Sequence, residues 1–213
     1  MRTDDLIAEL AGQLAPVRRH AAARRLALGT VGGGGAAFAL LIIWLGLRPD
    51  LAEAAGSMLF WMKLAFTVSL GLAAFAVVDR LGRPGARVSA AWWVLATPVA
   101  VVAMIGAAQI LMASETERLG MWLGHSSVEC PLRIMALSVP VYVGLLWSFR
   151  RLAPTRLMLA GFGAGVMAGC VGATVYALYC TESAAAFLAT WYTLGILGSG
   201  AIGALLGPRL LRW

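Results

Sequence analysis

MLFWMKLAFTVSLGLAAFAVVDRLGRPGAR, residues 58–87, decides the fold. From position 58 to 78 the only charge is Lys63; then come Arg80, Arg83 and Arg87. An apolar run of about 20 residues is the length at which a helix crosses a hydrocarbon core. Basic residues crowded just beyond it mark the cytoplasmic side. The same grammar recurs along the chain. Further apolar runs cover residues 26–47, 91–113, 132–149, 157–179 and 187–206. Arg2, Arg18, Arg19, Arg24 and Arg25 precede the first run. Arg150, Arg151 and Arg156 follow the fourth, and Arg209 and Arg212 follow the sixth. The alternate loops carry only Arg48, Arg118 and Arg133. The expected fold is therefore all-α: an integral membrane bundle of six transmembrane helices with both termini cytoplasmic.

The bulk numbers agree. Hydrophobic residues make up 61% of the 213, and the mean hydropathy of +0.83 is far above that of a water-soluble domain. The net charge of +7 does not indicate a nucleic-acid surface, because the excess is juxtamembrane, where arginine meets anionic lipid. Membrane lipids are expected partners, and direct nucleic-acid binding is not. Trp44, Trp61, Trp92, Trp93, Trp147 and Trp191 fall near predicted helix ends, as interfacial belts do. Gly161, Gly165 and Gly169 repeat every four residues, as do Gly195, Ser199, Gly203 and Gly207, a pattern that lets helices approach closely. Gly32, Gly33, Gly34 and Gly35 lower helix propensity inside the first run and are read as a bend.

The chain divides into an N-terminal cytoplasmic segment (1–25), a six-helix membrane domain (26–206) and a short tail (207–213). The first 25 residues are charged and patterned, unlike a signal peptide, and are expected to be retained. Thr3 caps a helix whose first turn holds Asp4 and Asp5. Leu6, Ile7, Leu10 and Leu14 follow at helical spacing, and Pro16 ends the pattern. The sequence offers this amphipathic stripe no cytoplasmic domain to pack on. It must lie on the membrane, fold back on the bundle or enter a partner's groove, and the last suits it best.

No phosphate-binding glycine loop, HExxH, GxSxG or CxxC occurs, and no enzymatic activity or resident cofactor is expected. Lys63 lies near the outer end of its span and is read as a snorkelling side chain. Cys170 is mid-span and is read as a small hydrophobe. Cys130 and Cys180 stand apart from it. One directly precedes the fourth span and the other directly follows the fifth, and those spans share a short loop. Antiparallel packing would bring the two thiols together at one depth on the outer face. Cys130 sits in an N-cap-like position before Pro131 and near Arg133, so it is expected to be the more reactive thiol. A permanent disulfide, a reversible switch and a soft-metal site at Cys130 and Cys180 all remain open, the last with His125 and Glu129 as additional donors. Ser114, Glu117 and Gly124 bracket a short interfacial helix over this site.

The opening Thr3-Asp4-Asp5-Leu6-Ile7, the six spans, Val128-Glu129-Cys130-Pro131 and Tyr179-Cys180-Thr181-Glu182 together resemble the NrsF-type anti-sigma factors. The resemblance implies a bacterial inner-membrane protein that sequesters an extracytoplasmic-function sigma factor. It implies release when periplasmic Cys130 and Cys180 meet heavy-metal or oxidative stress. It also implies that the N-terminal helix, with Asp4, Asp5, Leu6, Ile7, Leu10 and Leu14, binds the sigma factor. The family pattern gives no role to Cys170, Lys63 or His125. A membrane thiol-disulfide oxidoreductase and a small transporter are the rival readings. The first usually needs a second cysteine pair, and the second needs polar groups along a path.

Overall fold

A computed structural model describes residues 3, 5, 9, 12, 20–83, 91–150, 152 and 154–212. Those residues form helices and connecting turns, without strands. The long helices are α1 (Ala21–Trp44), α3 (Met58–Leu81), α4 (Ala91–Met112), α6 (Glu129–Phe149), α7 (Leu157–Tyr176) and α8 (Ala185–Leu210). Two short ones, α2 (Leu51–Ala54) and α5 (Glu115–Leu123), lie in connections. All six long helices have the length and apolarity to span a membrane. The first starts several residues before the predicted span, and the last runs on to Leu210.

Each helix begins and ends for local reasons. Ser57 caps α3, its hydroxyl accepting from the Phe60 N–H at 3.3 Å. The Ser114 hydroxyl and backbone N–H both donate to the Glu117 carboxylate, at 2.7 and 3.4 Å, which starts α5 as the spacing predicts. Gly124 then ends it at φ +55°, and a Cβ there would stand 2.8 Å from the Glu182 carboxyl and the Phe187 ring.

In lipid, apolar side chains gain little by meeting each other, so helix association depends on close packing and on hydrogen bonds. Helix α7 is the hub, buried along nearly its whole length between α8, α6, α3 and α1. Its glycines make that possible. A Cβ on Gly161 would overlap the Gly203 carbonyl, and one on Gly165 would overlap that of Ser199. The predicted small-residue faces of α7 and α8 thus meet each other directly. The Gly32–Gly35 quartet does not break α1. The helix runs through it, and Gly33 instead lets the α1 backbone close on Val141 of α6, with Gly29 against Gly144 one turn away. Ser148 adds a hydrogen bond across the same seam, its hydroxyl donating to the Arg25 carbonyl at 2.9 Å.

Outward-facing positions such as Ile43, Met58, Trp93, Met104 and Met112 leave broad apolar surfaces exposed. Patches of that extent suit a bilayer rather than water. With six membrane-length helices, the chain is a multi-pass membrane protein.

The bundle has two chemically distinct ends. At one, Ser148 meets Arg25, Leu152 meets Gly82, and the start of α7 meets Gly207 of α8. Arg25, Arg83, Arg150 and Arg156 belong to the helix ends and connections there. At the other, the Arg48 N–H donates to the Leu178 carbonyl (3.3 Å), the Gln109 side chain accepts from Ala185 N–H (3.0 Å), and the Trp122 indole donates to Thr190 (3.1 Å).

Candidate functional site

The arginine-poor end holds the chemistry. Helix α7 stops at Tyr176, and the following turn carries Cys180 back under it, the Cys180 N–H donating to the Tyr176 carbonyl at 3.0 Å. Cys130 lies on the first turn of α6. Both are buried free thiols, and the two sulfurs lie close enough to interact directly. Two residues 50 positions apart in sequence are thus brought into contact, by the antiparallel packing that the short 150–156 connection imposes.

Their surroundings are unequal. Cys180 lines a 390 Å³ cavity bounded also by Arg48, His125, Arg133, Tyr179 and Glu182. Cys130 is fully buried behind it. The Cys180 thiol is held down to about 6, chiefly by the hydrogen bond from Cys130. The nearby Lys63 ammonium also favours its thiolate, against the cost of burial. The buried Tyr192 hydroxyl faces this thiol without settling into a hydrogen bond of good geometry. Tyr192 ends a π-helical stretch, Leu188–Tyr192, inside α8. Such stretches widen a helix locally and recur at functional sites.

The two supports expected for a more reactive Cys130 are not in place. Cys130 is not an N-cap: α6 starts one residue earlier, and the Cys130 N–H is already bonded to the Ser126 carbonyl at 2.8 Å. Arg133 is engaged elsewhere. It pairs with Glu129, stacks 5.4 Å over the Tyr179 ring and reaches the Tyr179 hydroxyl at 3.5 Å.

Lys63 was the residue that hydropathy concealed. It does not snorkel. Its side chain is 1% exposed, and its Nζ donates to the Cys180 carbonyl at 2.9 Å and sits 5.8 Å from the Tyr192 ring centre. Helical periodicity carried the signal: Phe60, Lys63, Thr67, Leu70 and Ala74 are spaced as one buried face. The expected additional donors for a metal do not converge. Among the described residues no group of three or more His, Cys, Asp or Glu side chains could hold an ion. Instead the His125 N–H donates to Glu182 at 2.7 Å and ties α5 to the Cys180 turn. Arg48 at the cavity mouth is neutralised by Asp50 (2.6 and 2.8 Å), which holds that carboxyl down to about 2.

Cys170 lies fully buried in mid-bundle, away from the pair. Of the residues expected to bind a partner, Asp5 is helical and exposed. Asp4, Leu6, Ile7, Leu10 and Leu14 lie outside the described residues.

The comparisons with known proteins bear on this arrangement. The family described as NrsF, negative regulator of sigma F, matches residues 10–213. The chain belongs to the NrsF family. It is 42% identical to the anti-sigma-F factor NrsF of Caulobacter vibrioides (strain NA1000 / CB15N) over the full length of both chains. It is 41% identical to the probable anti-sigma-F factor NrsF of Azospira oryzae (strain ATCC BAA-33 / DSM 13638 / PS), again over the whole of each. No solved structure matches it significantly. The thiol pair thus sits in the bundle of an NrsF-family chain.

Proposed function

We propose that this chain is an anti-sigma factor of the bacterial inner membrane. It holds an extracytoplasmic-function sigma factor at the cytoplasmic face and releases it when Cys130 and Cys180 meet thiol-reactive stress, heavy-metal or oxidising. The observation that carries the sensing half is the buried contact of two thiols, one supplied by α6 and the other by the turn after α7. A change of bonding there alters how α6 and α7 meet. The family carries the other half: its members are named as negative regulators of a sigma factor.

Orientation follows from charge. The arginine-rich end faces the cytoplasm, because retained positive charge sets the orientation of a multi-pass protein. The thiol end then faces the periplasm, where thiols can be oxidised and disulfides persist. Both termini are cytoplasmic, which puts the N-terminal helix beside the sigma factor. Modification of the pair releases the partner only by favouring a different packing of the bundle, so the two states must differ in their affinity for it. The α7–α8 glycine seam runs from Gly161 and Gly207 at the arginine end to Gly169 and Ile196 in mid-bundle, and Gly172 and Gly195 continue it onto α6 at Ile134 and Pro131, beside Cys130; such a repacking travels along this route.

A reporter driven by the sigma factor tests the reading. The wild-type protein should release the sigma factor on exposure to an oxidant or a soft metal ion. Cys130→Ser and Cys180→Ser should each abolish the response while still inserting in the membrane. A full response in both variants would remove the thiols from the sensing role.

A further inference from the structure

Resting on the sensor reading above, we propose that Lys63 is a positioning residue that makes Cys180 the thiol to react first, with Cys130 following. Three independent features of the site converge on the Cys180 side. The first is access. Cys180 forms part of the wall of the 390 Å³ cavity, whereas Cys130 is sealed behind it. The second is charge. Lys63 is almost wholly buried, and its amine donates to the backbone of Cys180 itself.

A buried ammonium needs a compensating anion or a full set of acceptors. Among the described residues Lys63 has no carboxylate within ion-pair distance, since Arg48–Asp50, Arg83–Asp79 and Arg133–Glu129 are the pairs formed there. Its partners are one carbonyl and the face of the Tyr192 ring. The anion the site can supply to it is the Cys180 thiolate. Glu182, the nearest acidic residue on that turn, is occupied by the His125 N–H. The third feature is the Tyr192 hydroxyl, buried and without a partner beside the same thiol. It is a donor in place for a sulfur that becomes charged. Cys130, by contrast, does not line this cavity and, among the described residues, has no cation bonded to its backbone.

The thiolate is the nucleophile in thiol chemistry. With an alkyl halide the Cys180 sulfur attacks carbon, the carbon–sulfur bond forms and the halide leaves. The same asymmetry orders an oxidation by a hydroperoxide. The Cys180 thiolate takes one oxygen, an alkoxide leaves and a sulfenic acid remains; the Cys130 thiol then displaces water to give the disulfide.

The test uses the full-length reduced protein in lipid nanodiscs. It is pulsed with iodoacetamide at neutral pH, and labelling of each cysteine is read by mass spectrometry. In the wild-type protein Cys180 should label several-fold faster than Cys130, with Cys170 unlabelled as the sign of an intact bundle. Lys63→Met keeps length and apolar packing but removes the charge. It should lower the Cys180 rate several-fold, because a thiol that ionises below neutral pH loses much of its thiolate when a neighbouring opposite charge is removed. Lys63→Arg should restore much of that rate. A merely structural lysine would act in the opposite direction, because loosening the bundle speeds labelling of all three cysteines together. Equal or reversed rates in the wild-type protein overturn the proposal whether or not the variants fold. So does an unchanged Cys180 to Cys130 ratio in an intact Lys63→Met. The sensor reading fails separately, if Cys180→Ser still responds to stress.

Discussion

The three cysteines of this bundle occupy two settings: Cys130 and Cys180 meet at one end, and Cys170 lies in the middle. Cys170 sits in the apolar middle of α7, its carbonyl accepting from Thr174 at 2.8 Å and its Cβ close under Gly71 of α3. It acts as a small hydrophobe. Cys170→Ala should cost about 1 kcal/mol of stability, since it deletes one buried heavy atom, and should leave the stress response intact. Thermal unfolding in detergent and the sigma-driven reporter measure the two quantities; loss of the response would place Cys170 in the sensor. The paired thiols were legible in the sequence because they flank two spans joined by a short loop. Their order of reactivity was not. The proposed order rests on where α6 begins to the residue, on Arg133 turning to Glu129 and Tyr179, and on a lysine 117 positions from Cys180. An intramembrane charge marks a functional site by default, and Lys63 was discounted on its nearness to a helix end. Its place in the buried Phe60–Thr67–Leu70 face was the better guide.

At the scale of elements, glycine position separates seam from surface. Gly165 of α7 is pressed against Ser199 and Gly200 of α8, whereas Gly35 of α1 faces outward with open space around it. Gly165→Leu should destabilise the bundle by about 1–3 kcal/mol or more, as overpacking of a tight core does. Gly35→Ala should be neutral or stabilising by up to about 1 kcal/mol, because alanine is the better helix former. Unfolding of both variants in one detergent makes the comparison; equal losses would mean that the α7–α8 contact is not tight. The spans and their small-residue faces were readable because membrane helices have few solutions. Low propensity suggested a bend at Gly32–Gly35, but it says nothing of packing: α1 is continuous through the run, and Gly29 and Gly33 sit where α6 crosses. The π-helical stretch in α8 left no trace in hydropathy, since Leu188–Tyr192 reads as an ordinary apolar turn.

For the whole molecule, the separation of arginine end from thiol end makes sidedness and partner binding one question. Reporter fusions after Trp213 and within residues 115–129 should report opposite sides of the membrane, and two reporters on the same side would overturn the proposed topology. With the N-terminus on the arginine side, the partner must be held by what protrudes there. The connections at 79–90 and 150–156 are rich in arginine, glycine and proline, a composition that suits fixing topology. Leu6, Ile7, Leu10 and Leu14 offer an apolar stripe instead, with Asp4, Asp5 and Glu9 alongside to meet a basic surface. Burying one leucine contributes about 1.5–3 kcal/mol, and about 1.4 kcal/mol is one decade of affinity. Leu10→Asp removes that contribution and puts a charge in its place, so binding of the sigma factor should weaken more than tenfold. Arg83→Ala, which removes only an exposed pair with Asp79, should leave binding unchanged. Co-purification of the sigma factor with each inserted variant decides between helix and loops. Retention by Leu10→Asp together with loss from Arg83→Ala would move the interface to the connections, and signal transfer would then end at the cytoplasmic tips of α3 and α6 rather than at the N-terminal helix.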